Sequence, residues 1–187
     1  MARPQTTDDA ALLTRLAEVF RRTGFSGASL ERLAQEAGLR KASLYHRFPG
    51  GKQQMAEQVL DSSRDAFRAQ VLAPLDAPGA PRARLDAALA GLDAFYAGGQ
   101  RACLLNMLAP QGREDGPFAE RIKGSLERTV AAFAALAAEA GHPPDAARRR
   151  AVRAVMMIQG SLVMARALGS HTPFRQMLDD LPQELLG

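Results

Sequence analysis

Residues 24–52 constrain the fold of this chain more than any other stretch, because two short helical patterns meet there at a glycine. Ser29 is placed as an N-cap, and Leu30, Leu33 and Ala34 then form an apolar stripe. Gly38 supplies the tight turn, where a positive φ costs a glycine little. The spacing predicts a second helix over 41–47 that turns Leu44 and Phe48 inward. Arg40, Lys41, Ser43, Tyr45, His46 and Arg47 are left facing elsewhere. So many donors on one and a half turns make a poor core element and suit a probe for a polar groove.

Charge is distributed to match. Residues 1–52 hold nine Lys or Arg against five acids, so the whole net charge of +4 lies there and residues 53–187 are neutral. A polyanion partner for the N-terminal end follows from phosphate neutralisation.

The stretch resembles the DNA-binding domain of TetR-family (tetracycline-repressor-like) transcriptional regulators. The resemblance rests on Leu33, Ala34, Ala37 and Gly38, then Ser43, Leu44 and Tyr45, then Phe48 and Lys52, and it covers about residues 8–60. Two departures stand out. Arg40 occupies the position that usually carries a small hydroxyl residue, and Phe48 to Lys52 is one residue longer than the commonest spacing, with Pro49, Gly50 and Gly51 absorbing the excess. The resemblance implies that Ser43, Tyr45 and Lys52 hold phosphates, which fixes register. It implies that Lys41, Ala42 and His46 face base edges, with Arg40 serving either role. Ser29 presents the N–H groups of its helix to a phosphate. The plainer alternatives are that Tyr45 packs and that His46 is merely exposed.

The remaining chain reads as helical, and no segment alternates with period two. Residues 1–7 form a polar tail or an arm in which Arg3 reaches a minor groove. Helices are predicted over 8–23, 51–71, 82–97, 101–108, 117–140 and 145–168, and from Thr172 onward with a break or kink at Pro182. Residues 74–81 form a Pro-rich boundary and residues 111–116 a polar loop. The expected fold class is all-α with about nine helices: an N-terminal helix-turn-helix three-helix bundle over 1–52 and a C-terminal helical ligand-binding and dimerisation domain over 53–187.

The C-terminal region mixes Met107, Met156, Met157, Met164 and Met177 with Leu, Phe and Ala. Such a region is either a Met-filled core or the wall of an apolar cavity. The resemblance favours an effector pocket for a small apolar or aromatic molecule near Phe95, Cys103, Asn106, Met107, Phe133, Met156 and Gln159. A homodimer is expected through two helices: Val152, Val155, Leu162 and Val163 on one, and Phe174, Leu178 and Leu181 on the other. Gly160 and Ser161 would permit close approach between them.

No catalytic constellation is legible. His46, His142 and His171 are scattered, so no metal site is expected, and the lone Cys103 makes neither a disulfide nor a zinc cluster. Cys103 reads as a small core residue or, alternatively, as a redox sensor. No apolar run approaches the roughly 18 residues of a membrane span. The expectation is a cytoplasmic, ligand-responsive repressor with a palindromic double-stranded DNA operator, no cofactor and no membrane partner. The alternatives are a helical small-molecule-binding protein or enzyme that has lost DNA binding, and a ligand-independent regulator or activator.

Overall fold

The computed structural model describes residues 9–109 and 116–187. The 1–7 arm, Asp8 and most of the 111–116 loop lie outside them. The described residues form nine α-helices with no strand among them: α1 Asp9–Gly27, α2 Leu30–Ala37, α3 Lys41–Arg47, α4 Gly51–Phe67, α5 Pro81–Phe95, α6 Leu104–Leu108, α7 Ala119–Glu139, α8 Pro144–Leu168 and α9 Thr172–Leu186.

Local rules place most of these boundaries. The Ser29 hydroxyl accepts from the Arg32 amide at 3.2 Å, and Gly38 closes α2 in the left-handed region at φ 67°. Arg40 caps α3 by backbone alone, consistent with the missing hydroxyl at that position. Gly169 ends α8 at φ 61°.

Five boundaries differ from the sequence pattern. In α1, Gly24 breaks the helix at φ 66° as expected, but helical backbone resumes to Gly27. A Cβ on Gly24 would lie 3.2 Å from the Met107 carbonyl oxygen, so the break is also where α6 sits against α1. The 51–71 helix is α-helical only to Phe67, and a π turn over Arg68–Leu72 and a 3₁₀ turn over Ala73–Asp76 follow. Of residues 101–108 only Leu104–Leu108 are helical, because the preceding segment is pulled onto α1. Pro117 precedes α7, whose N-cap is Phe118. Pro182 lies inside α9, which runs on to Leu186; so near a C-terminus only one ladder hydrogen bond is forfeited.

Two apolar cores hold the chain. One is built on Leu16, Phe20, Leu33, Leu44, Phe48 and Met55, and takes in Leu60 of α4, Leu104 and Leu108 of α6, the N-cap Phe118 and Ile122 of α7. It therefore extends past residue 52. The other joins α5, α7, α8 and α9 around Leu85, Leu92, Phe133, Leu136, Phe174 and Leu181. By length and composition α8 is apolar enough to cross a membrane, which the sequence reading did not anticipate. Its apolar residues divide between a face packed into the second core and a face left bare.

Candidate functional site

The helix-turn-helix is held from beneath and bare above. Leu44 is the one buried side chain of α3 and Phe48 caps its inner end. Lys41, Ala42, Ser43, Tyr45 and His46 are exposed, Tyr45 by 47 % despite its ring. Arg40 and Ser29 are exposed beside them. Seven of the eight sequence-assigned residues are thus exposed on and beside α3. Among the described residues Lys41 has one ion-pair partner, Glu31, at 3.7 Å with both side chains mostly in solvent, so that pair leaves the ammonium available. Arg47 turns back to Asp9 and ties α3 to the start of α1.

Lys52 differs. Its ammonium donates to the Phe25 carbonyl at 2.9 Å and lies 4.4 Å from the centre of the Phe25 ring. It fastens the first turn of α4 to the chain leaving α1, and an ammonium keeps further donors for a phosphate. Gly51 next to it has φ 63°, a conformation that lets the longer Phe48–Lys52 connection close.

Residues 101–108 bridge the two cores. Arg21 of α1 donates from Nε to the Ala102 carbonyl at 3.2 Å and from Nη1 to Glu18 at 2.8 Å, while Arg101 reaches the same Glu18 at 3.6 Å. Burial lowers the pKa of Arg21, and Glu18 opposes the shift. This clamp had no signal in the sequence.

A cavity of about 630 Å³ opens between α4, α5, the 103–105 segment, α7 and α8. Its wall includes Phe67, Phe95, Leu105, Leu126, Val155 and Ile158. Phe67 and Phe95 meet edge to face at 5.2 Å, and Phe95 meets Tyr96 likewise at 4.9 Å. Its buried floor is polar: the Tyr96 hydroxyl donates to Cys103 Sγ at 3.6 Å, and Gln159 lines the cavity with them. Burial, then the neighbouring thiol, hold the Tyr96 phenol well above its ordinary pKa, so it stays neutral. Gln159 Oε1 is buried with no partner.

Of the residues read as pocket lining, Phe95, Cys103 and Gln159 do line this cavity. The other four do not. Asn106 is exposed on α6, and Met107 sits against Gly24 of α1 with its sulfur beside Arg166. Phe133 is sealed in the second core, and Met156 points outward, 65 % exposed. Tyr96, Phe67, Arg68 and Arg128 also line the cavity and do not figure in the sequence reading of it. The Phe95-Tyr96 pair was the available clue, whereas the arginines come from different helices and nothing in the sequence joins them.

α8 leaves Val152, Met156, Val163, Met164 and Leu168 exposed. Val155 and Leu162, also assigned to a dimer face, instead turn into the protein's own core, as do Phe174 and Leu181 of α9, and Leu178 is half-buried. An isolated chain already packs α8 on α9, so their inward residues have no surface to offer.

Comparison with known proteins agrees with this architecture. Residues 12–59 match the family of bacterial regulatory proteins of the tetR type, and residues 86–180 match the LmrA/YxaF-like transcriptional regulator C-terminal domain. The HTH-type transcriptional regulator LmrA of Bacillus subtilis (strain 168) is 21 % identical over 177 residues, covering 93 % of this chain and 94 % of LmrA. A TetR transcriptional regulator from Legionella pneumophila superposes with a TM-score of 0.83 at 16 % identity, covering 98 % of this chain and all of that one. The regulator CifR, solved as a cysteine mutant with a 26-base-pair operator DNA, superposes with a TM-score of 0.77 at 21 % identity over 98 % of both chains. With its helix-turn-helix and its C-terminal half each matched, this chain belongs to the TetR family of bacterial transcriptional regulators.

Proposed function

We propose that the chain is a cytoplasmic, ligand-responsive repressor and not an enzyme. It binds a palindromic operator as a homodimer and is released by a small apolar or aromatic effector held in the 630 Å³ cavity. The observation that carries the DNA reading is α3, a helix with one buried residue and five bare ones, standing over a packed core. In this reading Ser29, Ser43, Tyr45 and Lys52 contact phosphates, Lys41, Ala42 and His46 meet base edges, and Arg40 serves either. Domain 1–52 binds DNA and 53–187 binds ligand and partner, with a shared core at their junction. The operator-bound relative supports a DNA partner.

The dimer forms through the bare face of α8. Val152, Met156 and Val163 follow helical spacing, and Gly160 lies beside this stripe with nothing within 4 Å of a Cβ placed on it. A stripe of that kind is a large apolar patch for a monomer to expose. A two-fold pair of α3 helices would then meet half-sites about one DNA turn apart.

The cavity reaches the DNA-binding core by two routes. Leu60 and Phe67 of α4 line it, and so do Cys103, Leu104 and Leu105, from the segment clamped to α1 by Arg21. A ligand that spreads these walls tilts α4 and displaces α1, and so moves α3 away from one-turn spacing. It acts only through its different affinity for the two arrangements.

The test is selection of binding sites from random duplex DNA by the full chain, followed by sequencing. Enrichment of a two-fold palindrome is the expected result. Recovery of no preferred sequence at low salt would overturn the DNA reading and favour a small-molecule-binding protein.

A further inference from the structure

We propose that the cavity takes an amphiphilic aromatic carboxylate, its anionic head held by Arg68 and Arg128 at the rim and a hydroxyl at its far end donating to Gln159 on the floor. The proposal rests on the reading of this cavity as the effector site and names the chemistry of the effector.

The rim is unequally charged. Arg64, Asp65, Arg68, Asp76 and Arg128 all line it. Arg64 is taken up by Asp61 at 2.9 Å and by Asp65 at 3.1 Å. Arg68 and Arg128 have no carboxylate within ion-pair distance among the described residues, and Arg128 has only a long hydrogen bond, 3.4 Å, to the Ser125 hydroxyl. Asp76 also stands without an ion pair and subtracts one charge. The rim therefore offers two guanidinium forks to a carboxylate, the geometry these side chains recognise best.

Arg68 stands on an irregular stretch of backbone. It opens the π turn Arg68–Leu72, where the extra residue turns the end of α4 relative to a regular helix. Gly91 of α5 lies directly under that turn: a Cβ at Gly91 would overlap the Gln70 carbonyl. The wide turn and the glycine beneath it belong together, and they bring both Arg68 and Leu72 to the cavity wall.

The floor asks for the opposite group. Gln159 Oε1 is a buried acceptor without a donor, and the Tyr96 hydroxyl beside it already donates to Cys103. A buried amide oxygen left unpaired is costly, and a ligand hydroxyl satisfies it. The edge-to-face rings of Phe67, Phe95 and Tyr96 between floor and rim suit a flat aromatic body.

Four biphenyls serve as probes: para-hydroxybiphenyl carboxylate, biphenyl carboxylate, hydroxybiphenyl and biphenyl methyl ester. Binding is measured by calorimetry on the full chain without DNA, so the head-group assignment is read independently of operator release. The hydroxy acid binds most tightly. Removing its carboxylate weakens it by about tenfold or more, and added salt erodes that difference. In the Arg68→Gln/Arg128→Gln variant the acid and the neutral hydroxybiphenyl bind alike, while hydroxybiphenyl binds as it does to wild type. Gln159→Leu removes the advantage of the hydroxyl only, and Asp76→Asn strengthens the acid. Equal binding of acid and neutral probes by wild type, wild-type affinity for the acid in the double variant, or no binding of the hydroxy acid at millimolar concentration would each overturn the proposal. If the hydroxy acid binds as described and leaves operator affinity unchanged, the head-group site stands and the effector reading fails.

Discussion

Leu44 shows how one side chain sets the use of a whole helix. It is fully buried while its neighbours on α3 are bare, so it is the pin that holds those neighbours outward. Leu44→Ala is expected to cost about 2–5 kcal/mol in chemical denaturation, as for other large-to-small changes in a tight core. Tyr96 is legible in another way. Its raised pKa means that the folded chain keeps a proton which the unfolded chain releases above about pH 10. Stability from this group is complete below that pH and declines as pH rises beyond it. The melting temperature of Tyr96→Phe should therefore fall less steeply than that of wild type on the alkaline side, and parallel curves would contradict a buried neutral phenol. At this scale the sequence pattern located α3, Ser29 and Gly38 because each is fixed by neighbours a few positions away. It could not locate Arg68 or Arg128, which line one cavity only because of where α4 and α7 are packed.

Among the elements, helix starts and stops were readable where glycine or proline marks them, as at Gly38, Pro81, Pro144 and Gly169. Helix faces were readable only where polar residues interrupt the apolar ones. In α8 apolar residues occur almost all round, so periodicity does not tell Val155, which is buried, from Met156, which is bare. The same ambiguity turned Phe174 and Leu181 outward in the sequence reading. The bare stripe gives a direct prediction: Met156→Glu should convert a dimer into monomers in sedimentation at micromolar concentration, with helicity retained. A dimer that survives would place the interface elsewhere. The π turn could not be read at all, since it answers to Gly91, some twenty residues along the chain. Gly91→Ala should cost about 1–3 kcal/mol as an overpacked contact, measured by denaturant unfolding. An unchanged stability would mean that the α4–α5 contact yields freely.

For the whole molecule, the proposed function rests on two cores sharing one seam. The 101–108 segment lines the cavity on one side and is fastened to α1 on the other, through Arg21, Glu18 and the Gly24–Met107 approach. If a ligand weakens operator binding through that seam, operator must weaken ligand binding by the same factor, typically about 5–150-fold. Beneath this coupling lies the claim that α3 reads DNA. It is tested most directly by measuring the affinity of the selected palindrome and its single-base variants for wild type and for Lys41→Ala/His46→Ala. Wild type should discriminate by about 1–3 kcal/mol at the bases facing α3, and the double variant should lose that discrimination while keeping its salt-dependent, non-specific binding. An unchanged pattern of base preference in the double variant would contradict the account.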